Sequence, residues 1–289
     1  MKRLRTIATL TCFAALTACG TQGPTLSTDV RALEERAEQL VASGEFDQAA
    51  QVYTQLINAS SGSTQSRFLM EGARVLIELG NHSSARQWLM RAQDAATPMQ
   101  KQHTLVLLTE VDILDDRPEA ALETLELITR PASDELINAV ASARARALFG
   151  LGRIKEAVST LVERELRLNE SAQILENHRL VWAGLIGQAP GAAVEPTGEP
   201  VIDGWLDLKP IAYTSRANPF GFREGLLQWQ QTHPDHPAAR AFLLELLAES
   251  HLWLTYPAQI AILLPFSSVQ QSVARAIRDG FMAAHLSSS

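Results

Sequence analysis

The sequence predicts an all-α fold: a solenoid of paired helices over most of its length, closing on the incomplete start of an α/β unit. Three observations carry this. Apolar and small residues recur at fixed offsets with a 36-residue period, the signature of stacked helix pairs. Runs alternating apolar and polar residues, the mark of half-buried strands, are missing from the repeat region. The closing residues switch to an unbroken apolar run followed by a helical period, the order of a strand–loop–helix unit.

Composition narrows the function before any motif is read. Of 289 residues, 46% are hydrophobic and 20% charged, a globular balance that is neither disordered nor membrane-spanning. The formal charge of −7 offers no basic excess to displace counterions from phosphates, which argues against nucleic acid as a partner. The only cysteines, Cys12 and Cys19, lie in the first twenty residues. A disulfide scaffold, a cysteine zinc site and a thiol enzyme are thereby excluded from the body of the chain.

Residues 1–18 read as a signal peptide. Lys2, Arg3 and Arg5 precede an uncharged run from Ile7 to Ala18, too short for the ~20 residues that span a bilayer. The tetrapeptide Leu16-Thr17-Ala18-Cys19 resembles a bacterial lipobox, which implies cleavage before Cys19 and acylation of that residue. Several acyl chains anchor stably where one is marginal. Gly20, Thr21 and Gln22 follow, without the Asp that marks inner-membrane retention in such lipoproteins, so the implied address is the outer membrane, on its periplasmic face. Residues 19–28 form a flexible Gly/Ser/Thr/Pro tether.

The repeat register centres on Gly44, Gly80, Asp116 and Gly152. Eleven, seven and four residues before each stand Leu33, Ala37 and Leu40; Leu69, Ala73 and Leu76; Leu105, Thr109 and Asp112; Ala141, Ala145 and Leu148. Five, nine and twelve after each stand Ala49, Tyr53 and Leu56; Ala85, Leu89 and Ala92; Ala121, Leu125 and Ile128; Ala157, Leu161 and Arg164. Each triplet lies on one face of a helix. The pattern resembles the tetratricopeptide repeat, matched best by Gly44, Phe46, Ala49 and Tyr53. Asp112, at an otherwise apolar position, and Pro118 make the third repeat the most divergent. The repeats run to about Leu168, and Asn169–Gly187 adds one amphipathic helix, so the array covers residues 29–187.

A Gly/Pro loop spans 188–200. Further helices fill 201–257: Val201–Tyr213, Gly221–Thr232 and Ala238–Leu254. Gln259–Pro265 is continuously apolar, the profile of a buried parallel strand. After Phe266–Ser268, Val273, Ala276, Ile277, Gly280, Phe281 and Ala284 carry a helical period. Residues 258–289 are thus the truncated start of an α/β domain.

These segments point to one family. Gln259–Ser267 with Ala274–Phe281, Gly204-Trp-Leu-Asp-Leu208, Leu227-Gln-Trp-Gln-Gln231 and Thr232-His-Pro-Asp-His-Pro237 resemble the LppC-type (LpoA) lipoproteins, outer-membrane activators of a class A penicillin-binding protein. The resemblance implies a non-enzymatic regulator of peptidoglycan synthesis, acting by protein–protein contact. It implies that the helical array reaches across the periplasm while an α/β domain, similar to a type I periplasmic binding protein, meets the synthase. Two departures stand out: Ser268 replaces the family's glycine, and the family's second domain continues well beyond this point. The alternative is an envelope tetratricopeptide lipoprotein serving as an adaptor in outer-membrane assembly or secretion.

No catalytic, cofactor or metal site is read from the chain; Cys19, for lipidation, is the one site residue. His233 and His236 are separated by prolines that break any shared helix face, and no third ligand is near. Ser60, Ser61 and Ser63 lack a nucleophile-elbow motif, and no phosphate-binding glycine loop occurs. Glu34-Glu35 and Asp115-Asp116 read as solvated face or turn. Arg144, Arg146 and Arg153 read as a solvated face before a groove for an acidic partner, and Trp88 as packing.

Overall fold

The computed structural model describes residues 28–188, 194–214, 218–253, 262–267 and 270–287. Every regular element among the described residues is helical, as the sequence predicts. The chain divides into two compact units, residues 1–132 and 133–289.

The first unit holds α1 (Thr28–Ala42), α2 (Phe46–Asn58), α3 (Gly62–Glu78), α4 (His82–Ala92), α5 (Pro98–Leu114) and α6 (Pro118–Glu126). Consecutive helices pair, α1 with α2, α3 with α4 and α5 with α6, while α3 and α5 also pack on the pair before. Each pair turns on a left-handed residue at the predicted position: Gly44 (φ 76°), Gly80 (φ 71°) and Asp116 (φ 58°). Asp116 is the single non-glycine residue at positive φ among the described residues. The hydrogen bonds are those of a Schellman cap. The amides of Glu45, Asn81 and Arg117 donate to the carbonyls of Leu40, Leu76 and Asp112, all at 2.8 Å.

Helix starts follow from side chains able to bind free amides. Asn81 accepts from the Ser84 amide at 3.2 Å. Thr97 and Gln100 form a reciprocal capping box at α5, with Pro98 in the first turn. The register residues make the core. Ala37, Ala73, Ala49, Ala85 and Ala121 are fully buried, as are Leu56, Leu89 and Leu125 to within 1%. Small residues let the helices approach. A Cβ on Gly72 would overlap the Trp88 ring, so Trp88 packs over a glycine, as its register predicts.

The second unit begins with the fourth pair, α7 (Asp134–Gly150) and α8 (Ile154–Glu165), turning on Gly152 (φ 69°). Its register residues Ala145, Ala157 and Leu161 are buried. At the twelfth position, where the earlier repeats carry an apolar side chain, the Arg164 guanidinium donates to the Asn138 carbonyl (3.1 Å) and Asn177 Oδ1 (2.7 Å). Then come α9 (Ser171–Ile186), α10 (Pro200–Asp207), α11 (Lys209–Thr214), α12 (Pro219–Thr232), a 3-10 turn at Pro237–Ala239, α13 (Ala241–Trp253) and α14 (Gln271–Ser287). α10 packs on α8, α11 on α9 and α12, and α13 on α9 and α12.

Three expectations change in detail. The helix expected over Val201–Tyr213 is two, because Pro210 lacks an amide hydrogen and serves in the first turn of a new helix. The helix expected from Ala238 starts at Ala241, since Arg240 leaves helical geometry (φ −93°, ψ −112°) after the 3-10 turn; Leu254 lies outside the described residues. Of the expected strand, Gln259–Ala261 lie outside the described residues, and Ile262–Pro265 form no strand. A strand's backbone groups need a neighbouring strand, and the described residues provide none. The helix after it forms as α14, with Val273 (58% exposed) and Ile277 (51%) on its surface.

Candidate functional site

The three short motifs of the second unit, distant in sequence, close on one another. The Trp229 indole N–H donates to the Gly204 carbonyl at 2.7 Å. Glycine is required there: a Cβ would lie 2.6 Å from His236 Cδ2 and 3.4 Å from His233 Nδ1. His233 Nε2 meets Asp207 Oδ2 at 2.9 Å. His236, 6% exposed, contacts the Val201 carbonyl through Nε2 (2.9 Å) and the Ala238 amide through Nδ1 (3.1 Å). Trp205 is fully buried with its ring 5.3 Å from both His178 and His236; its Nε1 has no hydrogen-bond partner. Both nitrogens of His236 and Nε2 of His233 are spent on fixing backbone or a carboxylate. The arrangement is a clamp joining α10 to α12 and the 3-10 turn.

Behind the clamp, His178 (3% exposed) pairs with Glu165 Oε2 at 2.9 Å. Asn177, fully buried, donates to the Leu161 carbonyl at 2.9 Å. Phe242 and Trp182 complete the aromatic packing, with rings 6.3 Å apart. Arg179 reaches Glu245 with two nitrogens, at 2.7 and 3.1 Å, and so ties α9 to α13.

The first unit carries an ionic cluster. Asp112, 4% exposed, faces Arg86 (2.9 Å) and Arg117 (3.0 Å). The same arginines reach Asp115 Oδ2 at 3.1 and 2.8 Å, and His82 Nδ1 meets Asp115 Oδ1 at 2.8 Å. Partial desolvation opposes ionisation of Asp115, but the bonds from His82 and Arg86 outweigh it and hold the carboxyl below its ordinary range. A second network joins Arg67 to Glu34 at 2.5 Å and to Glu71 at 3.1 Å. Burial pushes the Glu71 carboxyl up, more than Arg67 lowers it. Sequence reasoning missed both networks. Asp112 held the available signal, because a carboxylate at a buried register position needs cationic partners.

The remaining candidates separate. Cys19, with the whole signal and tether, lies outside the described residues. Asp115 is engaged in the ionic cluster and is not a merely solvated turn, whereas Asp116 is exposed and supplies the left-handed turn. Glu34 is engaged by Arg67, while Glu35 is exposed. Arg144 and Arg146 are half-buried and Arg153 is exposed, held by Glu156 at 2.5 and 2.7 Å. The Ser60 hydroxyl donates to the Leu56 carbonyl at 2.7 Å. Among the described residues, no group of three His, Cys, Asp or Glu side chains could hold a metal, and no helix is long and apolar enough to cross a membrane.

The comparison with known families decides the assignment. A family model described as "LppC putative lipoprotein" matches residues 45–289. The chain belongs to the LppC family. A tetratricopeptide repeat model matches residues 30–53, over the first helix pair. Relatives named penicillin-binding protein activator LpoA align along the chain. That of Pectobacterium parmentieri is 24% identical over 83% of this chain and 36% of its own length; that of an Enterobacter species is 25% identical over 92% and 36%. The chain therefore spans little more than a third of these relatives. In solved structures, the N-terminal domain of LpoA from Haemophilus influenzae superimposes with a TM-score of 0.54 at 20% identity, over 72% of this chain and 94% of that domain. Full-length LpoA from the same organism gives 0.53 at 21%, over 80% and 44%. The helical fold is that of this LpoA N-terminal domain.

Proposed function

We propose that this LppC-family protein is an outer-membrane-anchored regulator of peptidoglycan synthesis that activates a class A penicillin-binding protein through protein–protein contact. Cys19 is the lipidated residue, residues 1–18 the signal, 19–28 the tether, and the helical array the part that offers the contact surface. The observation that carries the reading is a family match running through repeats, clamp and closing helix without a break. The clusters support an adaptor role: their histidines, arginines and carboxylates bind one another and backbone, which holds surfaces in place. Activation by contact shifts the synthase toward a competent state by differential binding. The relatives named as activators align across most of this chain, which favours this reading over an adaptor in outer-membrane assembly or secretion.

Deleting the gene in its host tests it. Muropeptide analysis should show less cross-linked peptidoglycan, restored by the wild-type copy and not by Cys19→Ala. Unchanged muropeptides alongside failed outer-membrane assembly or secretion would overturn the proposal.

A further inference from the structure

The clamp holds three histidines of unequal character. His233 Nε2 faces Asp207 and His178 Nε2 faces Glu165, so each of these rings already has a carboxylate partner. His236 is the exception. Its Nε2 lies 2.9 Å from the Val201 carbonyl, which can only accept, so Nε2 carries the hydrogen. Its Nδ1 lies 3.1 Å from the Ala238 amide, which can only donate, so Nδ1 must be the bare nitrogen. The ring is locked in one neutral tautomer with both nitrogens engaged.

We propose that His236 is an acid-sensitive latch on the 3-10 turn: protonation at Nδ1 sets an N–H against the Ala238 N–H, breaks that contact and uncaps the turn at Pro237–Ala239, while the Nε2 bond to the Val201 carbonyl stays in place. The ring is hydrogen-bonded to backbone and to no carboxylate, and Glu165 offsets the new charge only from a distance. Around it stand Trp205 and Trp229, at 5.3 and 5.1 Å between ring centres. The titratable neighbours are His233 on the same loop, with Asp207 of α10 beyond it, His178 of α9 and Glu165 of α8; Asp235, next in the chain, is exposed. The two carboxylates nearest the cluster, Asp207 and Glu165, are already taken by the other two histidines. Burial, with the charges of His233 and His178, holds the His236 pKa below its ordinary value against the opposing bond to Val201. The sign follows: the latch is closed above the ordinary histidine pKa of about 6.5 and opens as pH falls through the lower folded value.

The test is hydrogen exchange on the full chain at pH 7.5 and 5.0, corrected for intrinsic rates, read at the amides of Ala238 and Ala239, which the turn holds. One proton taken up on opening changes the opening equilibrium by at most about tenfold per pH unit, and a rise of about tenfold at these amides is expected between the two pH values. His236→Gln, whose amide can donate to Val201 and accept from Ala238 without titrating, should lose the acid response, while His233→Gln should keep it. Equal protection at both pH values, or an unchanged acid response in His236→Gln, would overturn the latch. Should His236→Gln not fold at pH 7.5, the Cε1 shift of labelled His236 in the wild type decides. A midpoint below 6 supports the latch, and one at or above about 6.5 rejects it.

Discussion

Trp229 and Gly204 are joined by a 2.7 Å hydrogen bond from indole to main-chain carbonyl, and this bond makes two separate sequence motifs one structural piece. Trp229→Phe keeps most of the packing but removes the indole donor from the buried Gly204 carbonyl, and should cost about 1 kcal/mol in denaturant unfolding. Gly204→Ala should cost at least as much, because its methyl would press on the His236 ring. Wild-type stability in both variants would show that the clamp is not a unit.

The turn residues give a prediction of opposite sign. Asp116 adopts φ 58° where the other three repeats have glycine, and a side chain in that region is strained. Asp116→Gly should stabilise by about 1 kcal/mol. Gly152→Ala, whose Cβ would touch nothing within 4 Å, should destabilise by a similar amount through backbone strain alone. Paired melting curves check both.

Asp112 sits where the other repeats place leucine. Asp112→Ala should cost about 2 kcal/mol, since a cavity appears and two arginines lose a shared partner. Asp112→Leu restores the apolar register and should lose less than the alanine variant. The neighbouring Asp115 has its folded pKa lowered, so its contribution is present above the ordinary carboxylate pKa of ~3.9 and disappears as pH falls below it. The difference between wild type and Asp115→Asn in urea midpoint should therefore shrink from pH 6 to pH 3.

How much of this was legible in the sequence follows from which forces are local. The turn at Gly44, the buried Ala49 and the pairing of α1 with α2 rest on helical periodicity and backbone conformation, which a sequence displays. Even Asp116 was identified as a turn residue by register alone. The clamp was not legible as a clamp: Gly204, Trp229 and His236 were recognisable as motifs, but their contacts cross more than twenty residues of chain and depend on tertiary packing. The break at Arg240 was invisible for the same reason. An apolar run reads as a strand whether or not a partner strand is present to satisfy its backbone.

The proposed lipid anchor at Cys19 has its own check. Cys19→Ala should move the protein from the outer-membrane fraction to the soluble periplasm, because no other described segment offers a membrane span. Retention of the variant in washed outer membranes would place the anchor elsewhere.

The most direct test of the central claim is in-cell photocrosslinking of the anchored protein, with the crosslinker on exposed faces of the repeats and of α14, and identification of what is trapped. A class A penicillin-binding protein is the expected product, absent when Cys19→Ala releases the protein from the membrane. Recovery of outer-membrane assembly or secretion components, with no penicillin-binding protein at any position, would contradict it.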